Sequence, residues 1–428
     1  MFTVVSNHGA RNCAGESRRD FLRVGAMAAT GLTLPNLLRA RAEAAETGLK
    51  VNGKSVIWIW LAGGPTHVET FDPKMTAPVE YRSITGEAQT PIPGVTIGGT
   101  FPQMAKCVDK MALVRSFAHG NSSHGTATEW VMTGYNDRSK TKPSIGSIIA
   151  KKNGLTNPVT GMPNYVRMGN IKGDGPGWLG TAYSPFDPSG KARTNMNVKL
   201  DASRIATRRD LLNSLDSINR EVDRTGKMIG LDGFEQQAFE LIMGNAKDAF
   251  DTKLEDSKVR ERYGKGLGEN LLKARRLCEA GCGFVTVSTG GWDMHGGIVK
   301  GLKGRNGQID QGISALIEDL DQRNMLDDTL VVVTGEFGRT PKINAKGGRD
   351  HWGRLCTLAL AGGGLNMGQV VGESSKKLEV PATKPITPQD LMATILKMYG
   401  IDPRLQFVNN QGRPVFLVED GMPISELI

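Results

Sequence analysis

Residues 55–61, Ser-Val-Ile-Trp-Ile-Trp-Leu, form an apolar run that stops at Gly63-Gly64-Pro65. A run this short, apolar at successive rather than alternate positions, predicts a parallel strand buried on both faces, with a loop at its carboxyl end. A second strand is expected over 111–117, and a helix over 124–132 running into Thr133-Gly134. Residues 153–197 are rich in Gly, Pro, Asn and Asp and predict loop with short strands. Charged faces with helical periodicity over 208–248 predict a helical excursion outside the sheet. The pattern then becomes regular: helix 270–280, strand 284–288, helix 308–322, strand 329–334, strand 355–361 and helix 388–399, with Pro388 suited to a helix start. Alternation of this kind predicts an α/β fold, a largely parallel sheet covered on both faces.

Composition narrows the function classes. With 39% hydrophobic and 23% charged residues in 428, the chain is globular, neither a disordered polymer nor a polytopic membrane protein. Its 54 glycines follow no collagen period and fit many tight loops around a loop-built site. Much of the +9 net charge lies in residues 1–42, which hold six Arg against Glu16 and Asp20. No later block of Lys/Arg with interleaved aromatics supports nucleic-acid binding.

The basic start has a pattern of its own. Ser17-Arg18-Arg19-Asp20-Phe21-Leu22-Arg23 resembles the twin-arginine export consensus. A weakly apolar stretch over 24–38 and a small-residue cleavage signal, Ala40-Arg41-Ala42, follow it. The apolar stretch contains Gly25, Gly31 and Pro35 and is too short to span a bilayer. The expectation is a signal peptide over 1–42, recognised by the twin-arginine export machinery. The mature chain over 43–428 is then a single domain without an integral membrane segment, in the periplasm or at the cell exterior. Cys107, Cys278, Cys282 and Cys356 match no zinc or C-x-x-C spacing and read as buried small apolar residues.

The remaining histidines sort to one kind of place. His67, His119, His124, His295 and His351 all fall beside Gly, polar or acidic residues, in expected loops or helix starts. Ligands of open parallel sheets gather at the carboxyl ends of the strands. His67 lies near Glu69 and Asp72, and His119 and His124 share one stretch with Ser123 and Thr126. Asp293 and His295, two apart, can turn to one point from an extended loop, while Glu336, Arg339 and Arg349 come from later loops. Imidazoles and carboxylates from separate strand ends suit zinc, manganese or another divalent ion.

The motifs Leu61-Ala-Gly-Gly-Pro-Thr-His67, Gly290-Gly-Trp-Asp-Met-His295, Gly335-Glu-Phe-Gly-Arg-Thr-Pro341 and Gly348-Arg-Asp-His-Trp352 resemble the exported bacterial family catalogued as domain of unknown function 1501. That family is related to the alkaline phosphatase and sulfatase superfamily. The resemblance implies a three-layer α/β/α sandwich, alkaline phosphatase-like, with metal ions at the strand ends. It aligns Asp293 and His295 with an Asp/His ligand pair, His351 with a late His, and Glu336-Phe337-Gly338 with an Asp-His-Gly metal motif. It puts the nucleophile position on His124, with Ser123 and Thr126 nearby. Phe337 stands where the superfamily has a metal-binding His, Gly63 or Gly64 where its first strand ends in Asp, and no Cys is available for conversion to formylglycine.

Together these features lead to the expectation of a metal-dependent hydrolase of phosphate, sulfate or related esters. Asp293, His295, Glu336 and His351 would hold zinc, manganese or calcium, with His67, Asp72 and His119 completing that site or a second one. Arg339 would bind the anion. Attack would come from Ser123, Thr126, His124 or water. The alternative is a non-catalytic exported protein of the same fold that binds a sulfated or phosphorylated glycan.

Overall fold

The computed structural model describes residues 53–136, 141–189 and 245–428. The expected signal peptide and nearly all of the 208–248 excursion lie outside these residues. Seven strands form the central sheet: β1 (Ser55–Leu61), β2 (Met111–Val114), β3 (Tyr165–Met168), β4 (Phe284–Thr289), β5 (Thr329–Thr334), β6 (Leu358–Gly362) and β7 (Gln369–Val371). Their order across the sheet is β7-β2-β6-β5-β1-β4-β3. β1 sits centrally, with Ile57 opposite Val285 on one side and Val331 on the other. β6 alone runs antiparallel, to both β5 and β2.

Alternation along β1 explains the layers. Val56, Trp58 and Trp60 point to one core, and Ile57, Ile59 and Leu61 to the other. Burying each large apolar side chain contributes roughly 1.5–3 kcal/mol, so a strand apolar on both faces needs a helical layer on each side. Five helices form much of these layers: α1 (His124–Thr133), α2 (Ile145–Asn153), α3 (Leu267–Glu279), α4 (Ile298–Gln322) and α5 (Pro388–Met398). Val131 of α1, Ile148 of α2 and Leu391 of α5 pack in the Trp58 core, and Leu271 of α3 and Leu316 of α4 in the Ile57 core. The result is the expected three-layer α/β/α sandwich. α5 starts where Pro388 predicts, and Thr387 and Asp390 close a capping box around it.

The elements depart from expectation at several points. The second strand ends at Val114; the Arg115 amide still donates to the Val371 carbonyl, while its guanidinium turns to the Phe71 and Thr96 carbonyls. α4 begins at Ile298 rather than 308: Leu302 continues its buried stripe, which Gly301, Gly304 and Gly307 obscure in the sequence. α2 lies outside the expected elements, although the Ser144 cap and the spacing of Ile145, Ile148 and Ile149 mark it. The expected strand over 355–361 starts at Leu358 and is antiparallel, which sequence periodicity does not report. The four described cysteines are buried and free. Among the described residues, no helix is long and apolar enough to cross a membrane.

Candidate metal centre

Parallel strands β1, β2, β4 and β5 send their following loops to the same rim of the sheet, and antiparallel β6 begins there. The segments after β4 and β5 carry Asp293, His295 and Glu336, the start of α1 carries His124, and the approach to β6 carries His351. Close packing of the β1 loop depends on Gly63 and Gly64, with φ of 110° and 72°. A Cβ on Gly63 would lie 2.6 Å from the Asp293 amide nitrogen, and one on Gly64 would overlap the Phe337 ring. An Asp at the end of this strand would therefore displace the loop that carries Asp293. The Gly63 amide instead donates to Glu336 Oε1 at 2.8 Å.

Three imidazoles converge on the Asp293 carboxylate. In each, Nδ1 faces an acceptor: Glu336 Oε1 at 2.6 Å for His124, Asp350 Oδ1 at 2.7 Å for His295, and the Ser122 carbonyl at 3.0 Å for His351. A neutral ring so placed keeps its proton on Nδ1 and directs the Nε2 lone pair inward. Nε2 of His295 and of His351 lie 3.0 and 3.1 Å from Asp293 Oδ1, and 3.0 Å from each other. Nε2 of His124 lies 3.4 Å from Asp293 Oδ2, buried and without a hydrogen-bond partner. Phe337 packs beneath, its ring centroid 4.8 Å from that of His124 and 4.7 Å from that of His351.

Donor atoms of His124, Asp293 and His351 all lie within 4.8 Å of one another, with His295 adjoining through Asp293 and His351, and these separations suit a shared cation. Four donors around one tetrahedral zinc, each about 2.0–2.1 Å from the ion, lie about 3.3 Å apart. Lone pairs facing one another at hydrogen-bond distance repel unless a proton or a cation lies between them. Charge points the same way: Asp293, Glu336 and Asp350 face one nearby guanidinium, that of Arg339, so a divalent ion brings the group to neutrality. Burial pushes the Asp293 carboxyl up, but the hydrogen bond from Arg339 and the Arg339 charge outweigh it and hold the group well below the usual carboxylate range. Asp293 and His295 are 48% and 47% exposed, so the cluster opens to solvent on one side.

A family model described as "Protein of unknown function (DUF1501)" matches residues 53–428. The chain belongs to this family. No curated protein matches it in sequence. Solved structures similar to this family member include the PsFucS1 sulfatase from Pseudoalteromonas sp., at 11% identity and TM-score 0.38, covering 86% of this chain and 71% of that one. The lipoteichoic acid synthase LtaP from Listeria monocytogenes matches at 12% identity and TM-score 0.37, covering 86% and 75%. The phosphonate monoester hydrolase SpPMH from Silicibacter pomeroyi matches at 11% and 0.37, covering 82% and 73%. At such scores the functional reading of the family member has to come from its own residues.

Of the expected site residues, Asp293, His295 and His351 meet, and Glu336 meets them through His124 rather than as a direct neighbour of Asp293. His124 stands among the inward-facing imidazoles, not apart from them as a nucleophile. His67, Asp72 and His119 do not join. The His67 ring bonds the Leu378 carbonyl at 3.0 Å, and burial pushes its pKa down to about 4. Asp72 accepts from Ser374 at 2.5 Å and lies 3.5 Å from Arg115, and burial raises its pKa. His119 bonds the Glu336 carbonyl at 2.7 Å and is likewise held near 4 by burial, so it braces the loop beside the cluster. Ser123 is exposed just before α1, whereas Thr126 Oγ1 accepts from Asn121 at 2.9 Å.

Arg339 differs from its expected role. It is 1% exposed and donates to the Gly64 and Arg349 carbonyls at 2.9 and 3.0 Å, to the Gly63 carbonyl, and to Asp293 Oδ1 at 2.5 Å. That geometry fixes Asp293 and leaves little of the guanidinium for a ligand. Asp350 and Asn344 complete the outer ring: Asn344 Nδ2 donates to Asp350 Oδ1 at 3.2 Å and to the His295 carbonyl at 3.1 Å. The sequence signal for Asp350 is its place beside His351. Asn344 has no comparable signal.

Proposed function

We propose that this protein is an exported, metal-dependent hydrolase of phosphate, sulfate or related esters. One observation carries the reading: three imidazoles, each tied at Nδ1, turn Nε2 toward a single carboxylate. His124, His295, His351 and Asp293 would hold a divalent ion, and an imidazole-rich set favours zinc or another transition metal over calcium. Bound there, such an ion supplies positive charge that offsets the anion of an ester under attack.

The surrounding residues have separable tasks. Glu336 and Asp350 keep the protons of His124 and His295 on Nδ1, an arrangement that raises ligand basicity and fixes ring orientation. Arg339 holds the Asp293 carboxylate ionised and in place. Ser123, exposed at the edge of the cluster, is favoured over Thr126 as a side-chain nucleophile because Thr126 is committed to Asn121; water is the alternative. The twin-arginine pattern over 17–23 supports export.

The test is metal analysis of protein purified from its own host, together with hydrolysis of 4-nitrophenyl phosphate and 4-nitrophenyl sulfate. The expectation is about one equivalent of transition metal in the wild type, a sharp loss in His351→Ala, and ester turnover that falls with metal content. Metal-free wild type that takes up no zinc or manganese and cleaves neither ester would overturn the reading.

A further inference from the structure

A cavity of about 370 Å³ lies along α1 and is separate from the histidine cluster. Glu129 and Thr133 form its wall on the helix, and Lys142, Lys172, Gly173 and Gly177 close it from other parts of the chain. Two close approaches shape it. A Cβ on Gly173 would lie 2.9 Å from the Glu129 Cα, and one on Gly177 2.5 Å from the Lys142 carbonyl carbon. The 172–177 stretch is therefore pressed against α1 on one side and against residue 142 on the other. Larger residues at the two glycines would push the walls apart.

The charges of this cavity face one another loosely. Lys172 Nζ is 3.7 Å from Glu129 Oε1, longer than a hydrogen-bonded pair, and Lys142 Nζ stands 4.2 Å over the Tyr135 ring. Two ammonium groups meet one carboxylate, so the cavity has cationic charge to spare. It also borders the start of α1, which carries His124. Lys172 Nζ falls 2.5 Å from where a Gly125 Cβ would stand, directly after His124.

We propose that this cavity is a subsite for a second anionic group of the substrate, a phosphate, sulfate or carboxylate reached from the cluster past the start of α1. The proposal rests on the ester-hydrolase reading for the identity of the first group, but the cavity's own binding can be measured without it. Lys142 and Lys172 bind the second anion, and Glu129 opposes it. A ligand anion competes with Glu129 for Lys172, which sets specificity against weakly charged groups.

The probes are 1,6-hexanediol bisphosphate and n-hexyl phosphate, which share a chain and differ by one phosphate, titrated calorimetrically into the full chain. The bisphosphate is expected to bind at least about tenfold more tightly. Lys142→Ala/Lys172→Ala should erase that advantage, and Glu129→Gln should enlarge it, with metal content unchanged in both. His351→Ala separates the two ideas. If it abolishes metal binding but leaves a bisphosphate affinity that is still sensitive to the lysines, the subsite stands independently of the centre. Equal affinity for the two probes, no bisphosphate binding at millimolar concentration, or an advantage that survives in the double lysine variant would overturn the subsite.

Discussion

Two polar clusters both draw on the stretch 336–352, and they treat their charges in opposite ways. Beneath the rim, Glu69 and Arg349 are both 0% exposed and 2.7 Å apart. Ser83 and Thr85 add hydrogen bonds to Glu69, and the Thr340 and Arg82 carbonyls accept from Arg349. Burial would raise the Glu69 carboxyl, but Arg349 and these hydroxyls hold it below its ordinary value. At the rim, Asp293 draws three imidazoles; the inner nitrogens of His295 and His351 face each other, and that of His124 has no hydrogen-bond partner. The Glu69 carboxylate is fully paired within the protein, with only Arg349 Nε left without a hydrogen-bond partner, whereas the inner imidazole nitrogens of the open cluster lack donors of their own. Charge and sequence motif do not distinguish them, since Arg349, Asp350 and His351 are consecutive; pairing of the charged groups does.

The largest effect should come from breaking the buried pair. Arg349→Ala leaves the Glu69 carboxylate buried without its cation and should cost about 3–5 kcal/mol in urea unfolding. A loss below about 1 kcal/mol would place the pair with exposed ion pairs and dissolve the contrast.

Next comes acid sensitivity. The His67 ring is held neutral, at about 4 against an ordinary 6.5, so protons bind the unfolded chain first as pH falls. Its contribution to stability is whole above pH 6.5 and declines toward pH 4, by at most about 3 kcal/mol. Urea midpoints followed from pH 7 to pH 4 should flatten in His67→Gln, and an unchanged slope would show that this ring does not titrate on unfolding.

The open cluster should respond in the reverse sense. Asp350→Asn weakens the hold on His295 Nδ1 and should lower metal affinity about 10–100-fold in a chelator competition, with apo-protein stability unchanged within about 0.5 kcal/mol. A stability loss without a metal effect would make Asp350 a packing residue. Smallest of all, Ser123→Ala should leave both metal affinity and unfolding midpoint in place; a drop in metal content would bring Ser123 into the ligand set.

Much of the architecture can be read along the chain because β1 and β5 are short, mostly apolar runs, β4 opens on Phe284 and Val285, and helices follow at regular intervals. The histidines at strand ends likewise point to the rim. What the chain does not disclose is which of them meet. His67 follows β1 as His295 follows β4, yet the loop turns His67 inward to the Leu378 carbonyl, a residue 311 positions away. The opposite sense of β6 is equally hidden, since a five-residue apolar run looks the same in either direction. Arg339 reads as an anion binder by type and becomes a brace only because Gly63 and Gly64 bring their carbonyls within its reach.

The reversal of β6 has a temporal consequence. The imidazole at its amino-terminal approach is supplied by residue 351, after every other member of the open cluster has been synthesised. On the metal-site proposal, a nascent chain that has not yet emerged past that point would carry three of the four donors and could not close around an ion. Capture would then wait for residue 351, and the order of synthesis would set the earliest form able to retain its cargo.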